Sequence, residues 1–119
     1  MTIRSFKDLD VWQVSMSLVE DCYKFTTNFP RDEIYGMTSQ IRRAATSVPA
    51  NIAEGFGREQ TGSFVHFLRI AQGSARELET HLLIVGRVGL STNDGATPLL
   101  DKCGRVSKML RALIRSLEA

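Results

Sequence analysis

The chain is poor in the residues that build most catalytic and metal sites. Its 119 residues include only two cysteines and two histidines. Cys22 and Cys103 are too few for a disulfide framework, and because both stand in apolar helical patterns we expect buried, reduced thiols. His66 and His81 belong to no HExxH or ExxH pattern, which would place metal ligands on one helical face. We therefore expect no enzymatic activity, no metal and no cofactor.

The chain also lacks long hydrophobic runs. No apolar stretch approaches the ~20 residues that a membrane-spanning helix needs, and the first residues contain no apolar core of a secretion signal. These absences predict a cytoplasmic protein without a membrane partner. With 43% hydrophobic and 24% charged residues, the composition is typical of an ordered chain, and the length predicts one domain over residues 1–119. The net charge of +2 is too small to identify a partner by itself.

Apolar residues recur at spacings of three and four along nearly the whole chain, and no segment reads as a strand. This pattern predicts four helices. The first runs from about Asp8 to Asn28, and the second starts between Asp32 and Thr38 and reaches about Gly57. The third follows a turn at 60–63 and ends near Gly89, and the last has an apolar seam from Leu99 to Leu117. Because the connections are short, we expect an all-α, antiparallel up-down-up-down four-helix bundle.

Two local signals predict a kink in the second helix and a turn in the last connection. Pro49 lies inside the second helix, where it removes a backbone hydrogen bond and favours a kink. The apolar period continues in phase from Met37 to Phe56, so we expect one kinked helix rather than two. The sequence Asn93-Asp94-Gly95 predicts a turn before the last helix.

The first helix is apolar on two sides. One row contains Leu9, Trp12, Met16, Val19 and Tyr23, and the other contains Val11, Val14, Leu18, Cys22, Phe25 and Phe29. The two rows lie about 140° apart, more than a helix needs to face one core. We expect one side to meet the bundle and the other a second subunit, with the oligomer interface at Val11, Leu18, Cys22 and Phe25. A deeply buried helix of a monomer would show the same pattern.

A polar stripe follows the second helix opposite its apolar row. Its members are Gln40, Arg43, Ser47, Asn51, Glu54 and Arg58. A solvated face is one interpretation, but exposed helix faces usually carry lysine and glutamate rather than glutamine, serine and asparagine beside alanines. We favour a polar network within the bundle or between subunits, in which Arg43 pairs with a carboxylate such as Glu54 or Glu77, because a buried charge needs a partner.

The last helix carries a basic strip opposite its apolar seam. The strip consists of Arg105, Lys108, Arg111 and Arg115, and the acids near it, Asp101 and Glu118, stand at its ends. A solvated helix with a cationic bias would explain it. A surface that neutralises phosphates and is repeated around an oligomer would explain it as well. Because no aromatic residues are interleaved with the cations, binding to RNA or DNA should have low sequence specificity and strong salt dependence.

Long phrases of the sequence resemble one known family. They are Phe6-Lys-Asp-Leu-Asp-Val-Trp12-Gln, Glu33-Ile-Tyr-Gly-Met-Thr-Ser-Gln40-Ile-Arg-Arg-Ala-Ala, Val48-Pro-Ala-Asn-Ile-Ala-Glu-Gly55 and Ala71-Gln-Gly-Ser-Ala-Arg-Glu-Leu-Glu79-Thr. Together they resemble the 23S rRNA intervening sequence proteins, a bacterial four-helix bundle family. Its relatives include the accessory variability proteins of diversity-generating retroelements. The similarity runs from Phe6 into the last helix.

The resemblance implies a ring-like homopentamer and an association with nucleic acid. Some members are encoded within insertions of ribosomal RNA genes, and the retroelement relatives bind nucleic acid and partner a reverse transcriptase. No catalytic residue is carried over from the family. We therefore expect a non-catalytic oligomeric scaffold that binds RNA or DNA, with a reverse transcriptase or another protein as a further partner. The alternative is a protein-interaction ring without a nucleic-acid role.

Overall fold

The computed structural model of the protein describes residues 3–92 and 94–119. Over these ranges the chain forms four α-helices, two short 3-10 helices and no strand. The helices are α1 (Asp10–Thr26), α2 (Met37–Gly57), α3 (Thr61–Arg87) and α4 (Thr97–Glu118), and the 3-10 helices are Phe6–Asp8 and Arg31–Glu33. All four predicted helices are confirmed, with their ends shifted by a few residues. Asn93 of the predicted turn lies outside the described residues, as do Met1 and Thr2.

The helices form the predicted antiparallel bundle. Within the described ranges, the backbones of α1 and α2, α2 and α3, α3 and α4, and α4 and α1 approach one another, whereas those of the diagonal pairs stay farther apart. The molecule is elongated along the helix axes, with extents of 43 × 22 × 22 Å. Both the α1–α2 and the α3–α4 connections therefore lie at one end of the bundle. We refer to this as the upper end, and to the end with the α2–α3 turn as the lower end.

Local sequence explains where the helices stop and continue. α2 runs unbroken through Pro49, which is buried, so the prediction of one helix is confirmed. α3 is followed by Gly89 at φ 77°, a left-handed conformation that glycine adopts without strain and that commonly ends a helix. Pro98 stands in the first turn of α4, where its missing N–H costs no hydrogen bond.

The core receives one face from each helix. Its largest fully buried side chains include Leu18 of α1, Ile41 and Ile52 of α2, Leu78 of α3 and Leu110 of α4. Burying side chains of this size stabilises the fold by roughly 1.5–3 kcal/mol each. None of the helices in the described ranges combines the length and hydropathy of a membrane span.

α2 and α3 approach each other closely at Gly55. A Cβ atom built on Gly55 would lie 2.7 Å from the Cβ of Phe67 and 3.2 Å from the carbonyl oxygen of Phe64. Only a residue without a side chain fits there, so the small residues of α2 allow α3 to come near. This crossing sets the positions of both helices at the lower end of the bundle.

Candidate nucleic-acid interface

The basic strip lies on the outer face of α4. The inner face of the helix is apolar, and five of its side chains between Leu99 and Ile114 are buried. The four predicted cations, Arg105, Lys108, Arg111 and Arg115, are all exposed. Because the apolar face turns toward the core, the charged face of the helix turns toward water.

The four cations of the strip are available to a ligand. Within the described part of the chain, none of them forms an ion pair or a side-chain hydrogen bond. Lys102, one turn earlier, is used differently: its Nζ donates to Ser17 Oγ at 2.8 Å and pairs with the carboxylate of Asp21. α4 thus commits one cation to its contact with α1 and leaves four facing solvent.

Two arginines of α3 extend this basic surface, and neither was predicted from the sequence. Arg69 and Arg76 are exposed and stand two helical turns apart, so they share one face of α3. The Nη2 of Arg69 lies 3.1 and 3.0 Å from the two carboxylate oxygens of Glu118 on α4, which places this face beside α4. The spacing of the two arginines is visible in the sequence, but the side of α3 that faces α4 is not.

The surface formed by α3 and α4 has no aromatic platform. α4 contains no aromatic residue. On α3, Phe64 and Phe67 lie against Gly55 of α2, and Phe67 is covered by the guanidinium of Arg58 at 5.0 Å from the ring centroid. The surface therefore offers positive charge and N–H donors, which suit phosphate oxygens, and no phenyl or indole ring on which a base could stack.

The neutral members of the polar stripe lie along the contact between α2 and α3. The hydroxyl oxygens of Ser47 and Ser74 share a hydrogen bond of 2.7 Å. The side-chain amide of Asn51 donates to the carbonyl oxygen and the hydroxyl of Ser47, at 2.8 and 3.0 Å. These bonds satisfy partly buried polar groups, and the Ser47–Ser74 bond joins the two helices. Gln40, at the upper end of the stripe, is exposed.

The charged members of the stripe lie at the surface. Arg58 pairs with Glu54 at 3.2 Å, and Glu77 lies 3.8 Å from Nε2 of His81. Arg43 is exposed, and no carboxylate of the described residues pairs with it. Within the described chain, Arg43 therefore pairs with neither Glu54 nor Glu77, and a pairing between subunits stays a prediction.

The interface residues predicted on α1 lie mostly inside the bundle. Val11 is 4% exposed, and Leu18 and Cys22 are fully buried. Phe25 is half-buried and packs edge-on against Phe29, with ring centroids 5.3 Å apart. The assignment of Val11, Leu18 and Cys22 to a subunit interface is wrong. The periodicity of α1 defines two apolar sides, but it does not say which of them turns toward the core.

The other apolar row of α1 lies on the outside. With α2 it forms a shallow groove of about 300 Å³. The groove is lined by Trp12, Met16, Val19, Thr46, Pro49, Ala50 and Ala53. None of these residues is charged, so the α1–α2 side of the bundle has an apolar groove, whereas the α3–α4 side has a basic surface. Covering such a groove with another apolar surface would be favourable.

The two cysteines are free and buried. Burial raises the pKa of the Cys22 thiol and of the Cys103 thiol to about 12. Thiols with so high a pKa stay protonated at neutral pH and react slowly as nucleophiles. Within the part of the chain that the structure describes, no three histidine, cysteine, aspartate or glutamate side chains are grouped so that they could hold a metal ion.

Known proteins share both the sequence pattern and the fold. A family model described as 23S rRNA-intervening sequence protein matches residues 7–112, a range that reaches from before α1 into α4. A crystal structure of a protein with unknown function from the S23 ribosomal protein family of Bacteroides thetaiotaomicron is 27% identical, with a TM-score of 0.78. The similarity covers 87% of this chain and 97% of that one. None of the curated proteins matches this chain.

Proposed function

The chain belongs to the 23S rRNA-intervening sequence protein family, and on that premise we propose that it is a non-catalytic oligomeric scaffold that binds nucleic acid with low sequence specificity. One observation carries the proposal: Arg105, Lys108, Arg111 and Arg115 are exposed along one helix face, and none has an acidic partner in the described chain. Four such cations can neutralise phosphates and release their counterions. The family's name makes RNA the first ligand to test.

Assembly is the second part of the proposal. The groove between α1 and α2 is apolar. It lies on the side of the bundle opposite the α3–α4 surface, since α2 and α4 stand diagonally across the bundle. A second copy seated in this groove would leave the basic surface free. Repeating the surface around a homopentameric ring, which the family resemblance implies, would multiply weak phosphate contacts into a stable complex.

Catalysis forms no part of the proposal. The nucleophiles of highest intrinsic reactivity, Cys22 and Cys103, are buried with their pKa values raised to about 12. A scaffold needs rigid helices and an accessible charged face, and the bundle supplies both. A reverse transcriptase as a protein partner remains a prediction from the family resemblance.

The test is a fluorescence-anisotropy titration of the purified protein against labelled structured RNA and duplex DNA at several salt concentrations. With at least the four phosphates of the strip neutralised, the logarithm of the binding constant should fall with the logarithm of salt with a slope of about −3 to −4 or steeper. A variant with glutamine at Arg105, Lys108, Arg111 and Arg115 should lose this binding. The matched control replaces four exposed cations elsewhere, Arg4, Lys24, Arg31 and Arg43, and should keep most of it.

The alternative function is a protein-interaction ring in which the basic strip meets an acidic partner. It predicts no binding to either nucleic acid, even at low salt. Equal losses in the strip variant and its control would show that only net charge matters, and would contradict the assignment of the strip as a binding site.

A further inference from the structure

The cations on the α3–α4 surface form two rows rather than one. The α4 row runs from Arg105 to Arg115 and is about 15 Å long, at about 1.5 Å per residue. The α3 row consists of Arg69 and Arg76 and is about 10 Å long. Neighbouring helix axes lie about 8–10 Å apart, so the two rows run side by side.

Two contacts establish how the rows are aligned. The Arg69–Glu118 pair joins α3 to α4 at the lower end of the bundle. Higher up, the thiol of Cys103 lies 4.0 Å from the carbonyl oxygen of Ala75. Arg76 therefore lies level with the first cations of the α4 row, and Arg69 lies level with the last. The two rows cover the same lower half of the surface.

The upper half of the same surface carries two carboxylates and one exposed cation, Arg87, which stands five helical turns after Arg69 on the same face of α3. Glu79 and Asp101 are both exposed, and Glu79 is near enough to Cys103 to raise the pKa of its thiol, after the larger effect of burial. A polyanion would be repelled from these carboxylates and attracted to the cations below them. The cations thus outnumber the carboxylates most strongly in the lower half, where we expect a phosphate-containing ligand to bind.

The exposed aromatic rings are elsewhere. Tyr23 on α1 is 42% exposed, and Tyr35 in the α1–α2 connection is 97% exposed, both away from the α3–α4 surface. Proteins that bind single strands without sequence preference combine a basic groove with rings on which bases stack. A duplex keeps its bases stacked internally and presents two phosphate backbones instead.

We propose that the two cationic rows of α3 and α4 bind a nucleic-acid duplex through the phosphates of both strands. This inference rests on the proposed function and adds the ligand class and two residues, Arg69 and Arg76. Phosphates follow one another at about 3.4 Å of axis per strand, so a 15 Å row spans about four of them. The separation of the rows is comparable to groove widths of about 6–12 Å between the two backbones.

The experiment compares four probes of one 20-nucleotide sequence: the RNA duplex, the DNA duplex and the single strand of each, all by anisotropy at fixed salt. Either duplex should bind at least about 10-fold more tightly than its strands, because only the duplex engages both rows. A preference for RNA would indicate A-form geometry and a preference for DNA would indicate B-form geometry, and either one supports the proposal.

The variant Arg69→Gln/Arg76→Gln tests the α3 row. It should weaken duplex binding about 10-fold and, when the titration is repeated at several salt concentrations, reduce the salt slope by about two, one for each lost phosphate contact. Arg31→Gln/Arg43→Gln removes two exposed charges away from the surface and should change the affinity less than about 2-fold. Arg69→Lys/Arg76→Lys keeps the charge and should retain most of the binding, which shows that the glutamine variant did not act through misfolding.

The outcomes separate this inference from the proposed function. Equal affinity for single strands and duplexes overturns the duplex assignment but leaves nucleic-acid binding in place. Loss of binding in the α4 variant, with no effect of the α3 variant, removes Arg69 and Arg76 from the site. Absence of binding to all four probes at low salt overturns the proposed function itself.

Discussion

The guanidinium of Arg69 is held by a carboxylate from another helix, since its Nη2 lies 3.1 and 3.0 Å from the two oxygens of Glu118. The two side chains are about half exposed, at 54% and 49%. An ion pair of this exposure contributes at most about 1 kcal/mol to stability. Its larger consequence is electrostatic, because Glu118 occupies Nη2, one of the donor nitrogens that Arg69 can offer to a phosphate.

Glu118→Gln should therefore strengthen nucleic-acid binding. Removing the carboxylate frees Arg69 and deletes one repulsive charge, and we expect affinity to rise about 2- to 5-fold at low salt and less at high salt. The control is Glu54→Gln, which breaks the similarly exposed Arg58–Glu54 pair on α2. Anisotropy titrations of the two variants check this. A gain of the same size in both would mean that only net charge had changed.

Neighbouring residues of α1 should respond differently to a charge. Leu18 is fully buried, whereas Val19 is half-buried and lines the groove between α1 and α2. Leu18→Glu should unfold the chain, since an unpaired charge in the core is very costly. Val19→Glu should leave the helical content intact and divide the proposed oligomer into smaller species.

Circular dichroism and sedimentation velocity distinguish these effects. A folded Val19→Glu variant that still sediments as the intact oligomer would remove the groove from the subunit interface. Val14→Glu is a useful comparison, because Val14 packs against the core and does not line the groove.

Replacing glycine by alanine should change the free energy of unfolding in opposite directions at Gly55 and Gly73. At Gly55 the added Cβ would meet the Cβ of Phe67 at 2.7 Å, and nothing lies within 4 Å of the corresponding position at Gly73. Gly55→Ala should lower the free energy of unfolding by about 1–2 kcal/mol, because two backbones must move apart. Gly73→Ala should raise it by about 0.5–1 kcal/mol, because alanine favours the helix. Urea unfolding of both variants measures the difference, and a stabilised Gly55→Ala would contradict the close approach of α2 and α3.

The buried thiols should make stability fall at alkaline pH. In the unfolded chain a thiol loses its proton near pH 9.0, whereas burial raises the pKa of Cys22 and of Cys103 to about 12 in the folded chain. Between these values the folded state binds more protons, so the free energy of unfolding falls as pH rises, by up to about 1.4 kcal/mol per pH unit for each thiol. Below pH 9 the thiols add no pH dependence.

The comparison that checks this is Cys22→Ala/Cys103→Ala. The variant is expected to be less stable throughout because it leaves cavities, but its stability should fall less steeply between pH 9 and 10.5. Urea titrations at four pH values give the slopes. Identical slopes for the two proteins would show that these thiols titrate normally in the folded state.

Sequence alone determined the number, order and approximate limits of the helices. Helical periodicity and Gly89 are local signals, and local signals set the helix ends. The exposed strip on α4 was also predictable, because α4 is amphipathic with one apolar face, and four cations opposite that face can only point outward.

Tertiary structure decided which side of α1 and α3 meets which neighbour. α1 has two apolar sides, and the side that contains Leu18 was predicted to face a second subunit but faces the core. The rotation of a helix about its own axis is set by the packing of all four helices together. For the same reason, the sequence does not place Arg69 and Arg76 on the basic surface. The ion pair of Arg69 with Glu118 shows that their face of α3 lies beside α4. Periodicity tells which residues share a face, and only the packed bundle tells what that face touches.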